Sequence, residues 1–272
     1  MGVLIVNLWK FLHWYDINIY QYDNDNLVFN MNFKMKILLQ IFFIAVLSCN
    51  NVQAKQKMYF GAPNVITDWR KSCSPDKGSV VDDYPTFIFK KSKNNCSSPY
   101  KQRAEIITKK ALSVSAKAKY NFQTIFKIKD NSKKSLPEKF DIFQIHDGRV
   151  GCAPPLKVEI HSSGFLRLIA DYKTGSGQKC ERNVIKPRGY GKTQIKRNGT
   201  EYKLNILVDF DGKSGFDIQA FLDNKLEING KYSPPSGNKY FKSKYYFFKH
   251  GVYSKRMFDY ELTSRISMKK VK

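Results

Sequence analysis

Acidic side chains are scarce in this chain: 23 Asp and Glu face 47 Lys and Arg, and histidine occurs only four times. No loop gathers carboxylates at the spacing calcium requires, and no carboxylate pair reads as the two-metal site of a nuclease. No two cysteines form Cys-x-x-Cys, which argues against a zinc site. No window of a dozen residues carries convincing helical periodicity, so a helical bundle is excluded. The apolar stretch Ile37–Leu47 is roughly half the ~20 residues a membrane-spanning helix needs, and Gln40 interrupts it. No internal repeat and no long linker divides the chain beyond Ala54.

Enough apolar material is present for a full-sized core. Of 272 residues, 42% are hydrophobic and 14% aromatic, and neither disorder nor collagen-like repetition fits that composition. The net charge is +24, and since residues 1–54 hold three charges of each sign, the excess lies entirely in the remainder. Such a balance favours polyanionic partners: nucleic acid, an anionic membrane or an acidic polysaccharide. Usage rich in Lys, Asn, Ile and Tyr also fits AT-rich coding, so charge alone does not choose among them.

The beginning of the chain reads as a leader over residues 1–54. Lys34 and Lys36 flank the apolar run, and polar and small residues succeed it to Val52-Gln53-Ala54, the layout of a signal peptide over 31–54. Residues 1–30 fit no targeting pattern and read as an over-extended start. The expected destination is secreted or periplasmic; Val46-Leu47-Ser48-Cys49 offers the alternative of a lipoprotein anchored at Cys49. The domain is then 55–272, with its ordered pattern beginning near Tyr59.

Apart from Cys49, four cysteines remain, an even number in a chain headed for an oxidising compartment. Three pairings exist. Cys73–Cys96 with Cys152–Cys180 is favoured because each closes a loop of about 25 polar, turn-rich residues, worth about 3 kcal/mol apiece by chain entropy.

The recurring signal after Ala54 has a two-residue period. Tyr120, Phe122, Thr124, Phe126 and Ile128 line one strand face; Leu204, Ile206, Val208 and Phe210 repeat the pattern, as do Ile218, Ala220 and Leu222. Turn residues punctuate these runs, for example Asp211-Gly212 and Asp223-Asn224. The expected class is all-β, with two sheets packed face to face.

Three strands carry polar groups where a face should be half-buried. Arg103 and Glu105 project together, as do Gln144 and His146, and so do Lys249, Gly251 and Tyr253, where the missing side chain at Gly251 is expected to let a ligand approach the backbone. Each feature alone has an ordinary explanation: a surface ion pair, a hydrogen-bonded structural histidine, a core tyrosine.

Together they resemble the jelly-roll polysaccharide lyases of the alginate lyase, glucuronan lyase and heparin lyase I type. Their three signatures, Arg-Ser/Thr-Glu-Leu-Arg, Gln-Ile/Val-His and Tyr-Phe-Lys-Ala-Gly-x-Tyr-x-Gln, read here Arg103-Ala104-Glu105-Ile106-Ile107, Gln144-Ile145-His146 and Phe247-Phe248-Lys249-His250-Gly251-Val252-Tyr253-Ser254-Lys255. Ala104, Ile107, Phe247, His250 and Lys255 depart from the pattern and weaken an assignment to alginate in particular. The resemblance implies a β-jelly roll of two antiparallel sheets with a concave groove, and β-elimination on a uronate. Arg103 and Gln144 would neutralise the sugar carboxylate, and His146 and Tyr253 would move the protons. Lys249 would assist Tyr253 or grip a carboxylate, and Glu105 would orient Arg103. No metal or cofactor is called for.

Syn elimination, on glucuronate or mannuronate, lets Tyr253 act as both base and acid; anti elimination, on guluronate or iduronate, favours His146 as base. Two other classes compete with a lyase. A non-catalytic jelly-roll lectin would use the same basic groove, but binding alone needs no proton-transfer pair. A nucleic-acid-binding protein would use the charge, but no recognisable motif accompanies it.

Overall fold

In the computed structural model the alternation of Lys117–Asp130 does what its period demands: residues at even positions from Ala118 to Ile128 turn inward and are buried, and odd ones turn out. The structure describes residues 57–96, 99–131 and 137–271. The expected leader and the lipidation site at Cys49 lie outside them.

No helix occurs among the described residues, and sixteen strands do: β1 (Trp69–Lys71), β2 (Val80–Asp83), β3 (Thr86–Lys90), β4 (Gln102–Thr108), β5 (Leu112–Ser113), β6 (Lys117–Asp130), β7 (Phe140–His146), β8 (Leu156–Ile160), β9 (Leu166–Ile169), β10 (Tyr172–Lys173), β11 (Cys180–Glu181), β12 (Asn198–Asp211), β13 (Phe216–Leu222), β14 (Lys225–Tyr232), β15 (Tyr245–Ser254) and β16 (Tyr260–Val271). The back sheet runs β14-β13-β12-β6-β16-β3-β2 and the front sheet β1-β4-β15-β7-β8-β9, with β5 alongside β15. All pairings within them are antiparallel. The all-β expectation holds.

The two sheets meet across an aromatic core. Phe122 of the back sheet lies 4.6 Å from Phe143 of the front, and Tyr120 lies 6.4 Å from Phe248. These rings bring large apolar area and rigid shape, which sets the depth of the sandwich.

One polar chain lies inside this core. A bulge in β7 turns both Ile142 and Phe143 inward and leaves Ile142 without a register partner in either neighbouring strand. His250 fills that gap: Nδ1–H donates to Ile142 O at 2.8 Å, and Nε2 accepts from Ser264 Oγ at 2.6 Å, which in turn meets Thr124 Oγ1 at 2.5 Å. Burial pushes the imidazole down to about 4, so it is neutral and fully engaged. His250 stands where the lyase pattern has Ala, and this bulge is the reason a larger polar residue is accommodated.

Both expected disulfides are present. Cys73–Cys96 and Cys152–Cys180 have Cα separations of 5.4 and 5.9 Å.

Candidate active site

Buried polar side chains are the informative exceptions in a folded chain, and here they gather on the outward face of the front sheet. Arg103 and Glu105 from β4, Asp141 and Gln144 from β7, Lys157 and Glu159 from β8, and Lys249 from β15 are each less than a tenth exposed. The strand period puts them on one face, and in β7 the bulge at Ile142–Phe143 brings Asp141 to the same side as Gln144. The register then makes them neighbours: Tyr253 pairs with Arg103 on one side and Asp141 on the other, while Lys249 sits between Ile107 and Gln144.

Glu105 organises the centre. Its Oε1 accepts from Gln144 Nε2 at 2.6 Å, and its Oε2 lies 3.4 Å from Arg103 Nε, an ion pair rather than an aligned hydrogen bond. The Arg103 guanidinium stacks over Tyr253, with Cζ 4.2 Å from the ring centre, and its Nη1 rests 2.8 Å from Cys73 Sγ of the first disulfide. Lys249 is buried beside them. Burial pulls its ammonium down to about 8, with Glu105 opposing and Arg103 adding to the shift. Two cations, Arg103 and Lys249, thus share the one carboxylate of Glu105 at this end of the face.

His146 ends β7 opposite Phe247. Its Nδ1 accepts from the Gly148 backbone N–H at 2.9 Å. Because a backbone N–H can only donate, the proton of the neutral ring is on Nε2. Burial, followed by the cations Lys249, Arg103 and Arg149, holds the imidazole well below its usual range, so this neutral tautomer persists. The turn behind it is rigid. Gly148 has φ +83°, and Arg149 Nε bonds both carboxylate oxygens of buried Asp147 at 2.9 and 3.0 Å while its Nη2 reaches Tyr232 Oη at 2.9 Å.

By sequence the chain matches no protein-family model and no curated protein. By structure it is similar to alginate lyase A1-II′, a member of polysaccharide lyase family 7, with a TM-score of 0.51 and 13% identity over 75% of this chain and 95% of that one. A substituted form of family 7 alginate lyase A1-II′ in complex with a substrate, GGMG, gives 0.50 and 13% identity over 76% and 95%. The fold is the alginate-lyase jelly roll.

Within this jelly roll the six residues singled out from the motifs, Arg103, Glu105, Gln144, His146, Lys249 and Tyr253, all come from the three adjacent strands β4, β15 and β7. The reading of Gly251 needs correction. With φ +134°, a Cβ there would stand 2.3 Å from the Ala104 carbonyl oxygen and 2.8 Å from Glu105 Cα. Glycine is required so that β4 can approach β15, and not to admit a ligand.

Three participants escaped the motif reading. Lys157 Nζ lies 2.6 Å from Asp141 Oδ2 and 3.1 Å from Tyr100 Oη, and Tyr100 stacks on Tyr253 with centroids 4.4 Å apart and planes 23° from parallel. Burial pushes the Asp141 carboxyl up to about 7, with Lys157 opposing and Glu159 adding. Burial works against the Lys157 charge, yet Asp141 and Tyr100 hold it above the usual lysine range. The alternating charges of Leu156-Lys157-Val158-Glu159-Ile160 were a legible signal for Lys157. Tyr100 comes after a cysteine loop with no periodicity and gave none. Among the described residues, no group of three His, Cys, Asp or Glu is placed to hold a metal ion.

Proposed function

We propose that the chain is a polysaccharide lyase, secreted or periplasmic, that cleaves an acidic uronate-containing glycan by β-elimination on this face. The observation that carries the reading is that Arg103, Gln144, His146 and Tyr253 come from three adjacent strands of one sheet, with Arg103 stacked on Tyr253 and Gln144 bonded to buried Glu105.

The reaction removes the proton at C5 of the uronate, forms the C4–C5 double bond and breaks the bond from C4 to the glycosidic oxygen, which takes up a proton. Negative charge moves into the sugar carboxylate as C5–H breaks, so groups already aimed at the carboxylate lower the barrier. Arg103 supplies a guanidinium, Gln144 has a second N–H beyond the one given to Glu105, and His146 presents Nε2–H. All three stabilise the enolate-like charge.

The tautomer of His146 then bears on the substrate. An imidazole whose Nδ1 is occupied by Gly148 and whose Nε2 carries the proton has no lone pair to take the C5 proton. Tyr253 remains as the base: its phenol oxygen takes the proton from C5 while its own hydroxyl proton passes to the leaving oxygen, so it ends as the neutral phenol again. Arg103, 4.2 Å from the ring centre, offsets the charge on the phenol oxygen. One group serving both atoms requires them on the same side of the ring. That is the geometry of mannuronate and glucuronate.

A panel of mannuronate-rich alginate, guluronate-rich alginate, glucuronan, heparin and hyaluronan, assayed by the absorbance of the 4,5-unsaturated product, tests this. Turnover is expected on a mannuronate or glucuronate polymer well above that on guluronate. Absence of unsaturated product from every polymer sinks the lyase reading and leaves the lectin. Faster cleavage of guluronate-rich alginate sinks the assignment of the base to Tyr253.

A further inference from the structure

One register row crosses five strands of the front sheet, from β4 to β9. Arg103 pairs with Tyr253, Tyr253 with Asp141, Asp141 with Glu159, and Glu159 with Arg167 on the edge strand β9. Arg167 therefore faces the same side as the site, and its Nη2 lies 2.9 Å from Glu159. Beyond it stands Tyr190, 50% exposed. Its ring lies 5.8 Å from the Arg167 guanidinium carbon and meets His161 edge-on at 5.1 Å.

A single exposed tyrosine is ordinary. The loop that presents this one is not, because buried Glu227 clamps it. Glu227 Oε2 accepts from the N–H groups of Lys192 and Thr193 at 2.5 and 2.7 Å, and Oε1 accepts from the Thr193 hydroxyl at 2.7 Å. Gly191 N–H adds a bond to the Leu166 carbonyl of β9 at 2.8 Å. The entropy of ordering the loop is thus already spent in the free protein, while the ring itself stays in water.

We propose that Tyr190 and Arg167 form a distal subsite for an acidic sugar residue of the polymer whose cleavage was inferred above, and the proposal rests on that reading. The tyrosine ring supplies a rigid apolar platform for the C–H face of a pyranose. Charge selects an acidic sugar. Arg167 and Lys139 both approach Glu159, at 2.9 and 3.9 Å, and leave one net positive charge along this part of the row. Three strand spacings of ~4.8 Å separate β15 from β9, so the subsite lies about 14 Å from Tyr253, roughly three sugar residues along a chain crossing the strands.

The test compares wild type, Tyr190→Ala and Tyr190→Phe on a polymer from the active panel and on its trimer, which is too short to reach from Tyr253 to the subsite. Tyr190→Ala should raise KM on the polymer about 3–10-fold with kcat unchanged, leave the trimer rate unaltered, and be rescued by Phe. An unchanged polymer KM, or an equal loss on the trimer, overturns the subsite. Should wild type yield no unsaturated product from any polymer, the lyase reading has failed, and the subsite is then judged by retardation in gels cast with mannuronate-rich alginate. Weaker retardation of Tyr190→Ala than of wild type supports it, and equal retardation, or none for wild type, overturns it.

Discussion

Removing the hydroxyl of Tyr253 separates catalysis from structure cleanly. In Tyr253→Phe the ring keeps its stack on Tyr100 at 4.4 Å and its place under Arg103 at 4.2 Å, so the packing and the cation–π contact survive. Under the proposed mechanism the variant loses the hydroxyl that takes the C5 proton and protonates the leaving oxygen. General acid–base assistance is worth about 10²–10⁴-fold, or about 3–5.5 kcal/mol of barrier. A ground-state hydrogen bond from the same hydroxyl is worth about 1 kcal/mol, a fewfold effect on affinity. The loss should therefore fall on kcat by at least about 100-fold while KM moves by no more than about 5-fold. Turnover is read from the unsaturated product and folding from a thermal melt, which should stay within a few degrees of wild type. If purified Tyr253→Phe produced unsaturated sugar at the wild-type rate on the best substrate, the tyrosine would be structural and the mechanism would need reassignment.

The geometry fixes three further outcomes. Lys249 is charged below about 8 and neutral above it, so kcat/KM for a polyuronate should fall as pH rises through that value; Glu105→Gln, which removes the carboxylate that opposes the shift, should move the fall to lower pH, and a profile identical to wild type would contradict the placement of Lys249 in the site. Replacing Cys73 and Cys96 by serine should reduce kcat as well as stability because Cys73 Sγ supports Arg103, whereas replacing Cys152 and Cys180 should lower the melting point alone; equal kcat in the two variants would refute the support role. His250→Ala, although it restores the residue of the lyase pattern, should destabilise by about 2–4 kcal/mol, a drop in melting temperature of about 4–16 °C, since it strands the Ile142 carbonyl and the Ser264 hydroxyl and leaves a cavity. A melt at or above the wild-type value would overturn that account.

Alternation with period two was enough, without coordinates, to establish that the chain is all-β and to say which residues of each strand share a face. Gln144 with His146, and Lys249 with Tyr253, come from that period alone, and loop length was enough to pair the cysteines. Period two is silent on which strand lies beside which and in what register, because those contacts join residues far apart in sequence. Only the folded sheet sets Tyr253 between Arg103 and Asp141 and brings Lys157 from β8 to Asp141 and Tyr100. Nor could sequence tell that Gly251 clears space for β4 or what His250 bonds inside the core, since the signature shows a small residue and a substitution without showing what either touches. The tautomer of His146 is likewise a tertiary decision: it depends on a backbone N–H that the Asp147–Arg149 pair and the positive φ of Gly148 turn back toward the ring. Local pattern determines the direction a side chain points, and long-range pairing determines what it meets there.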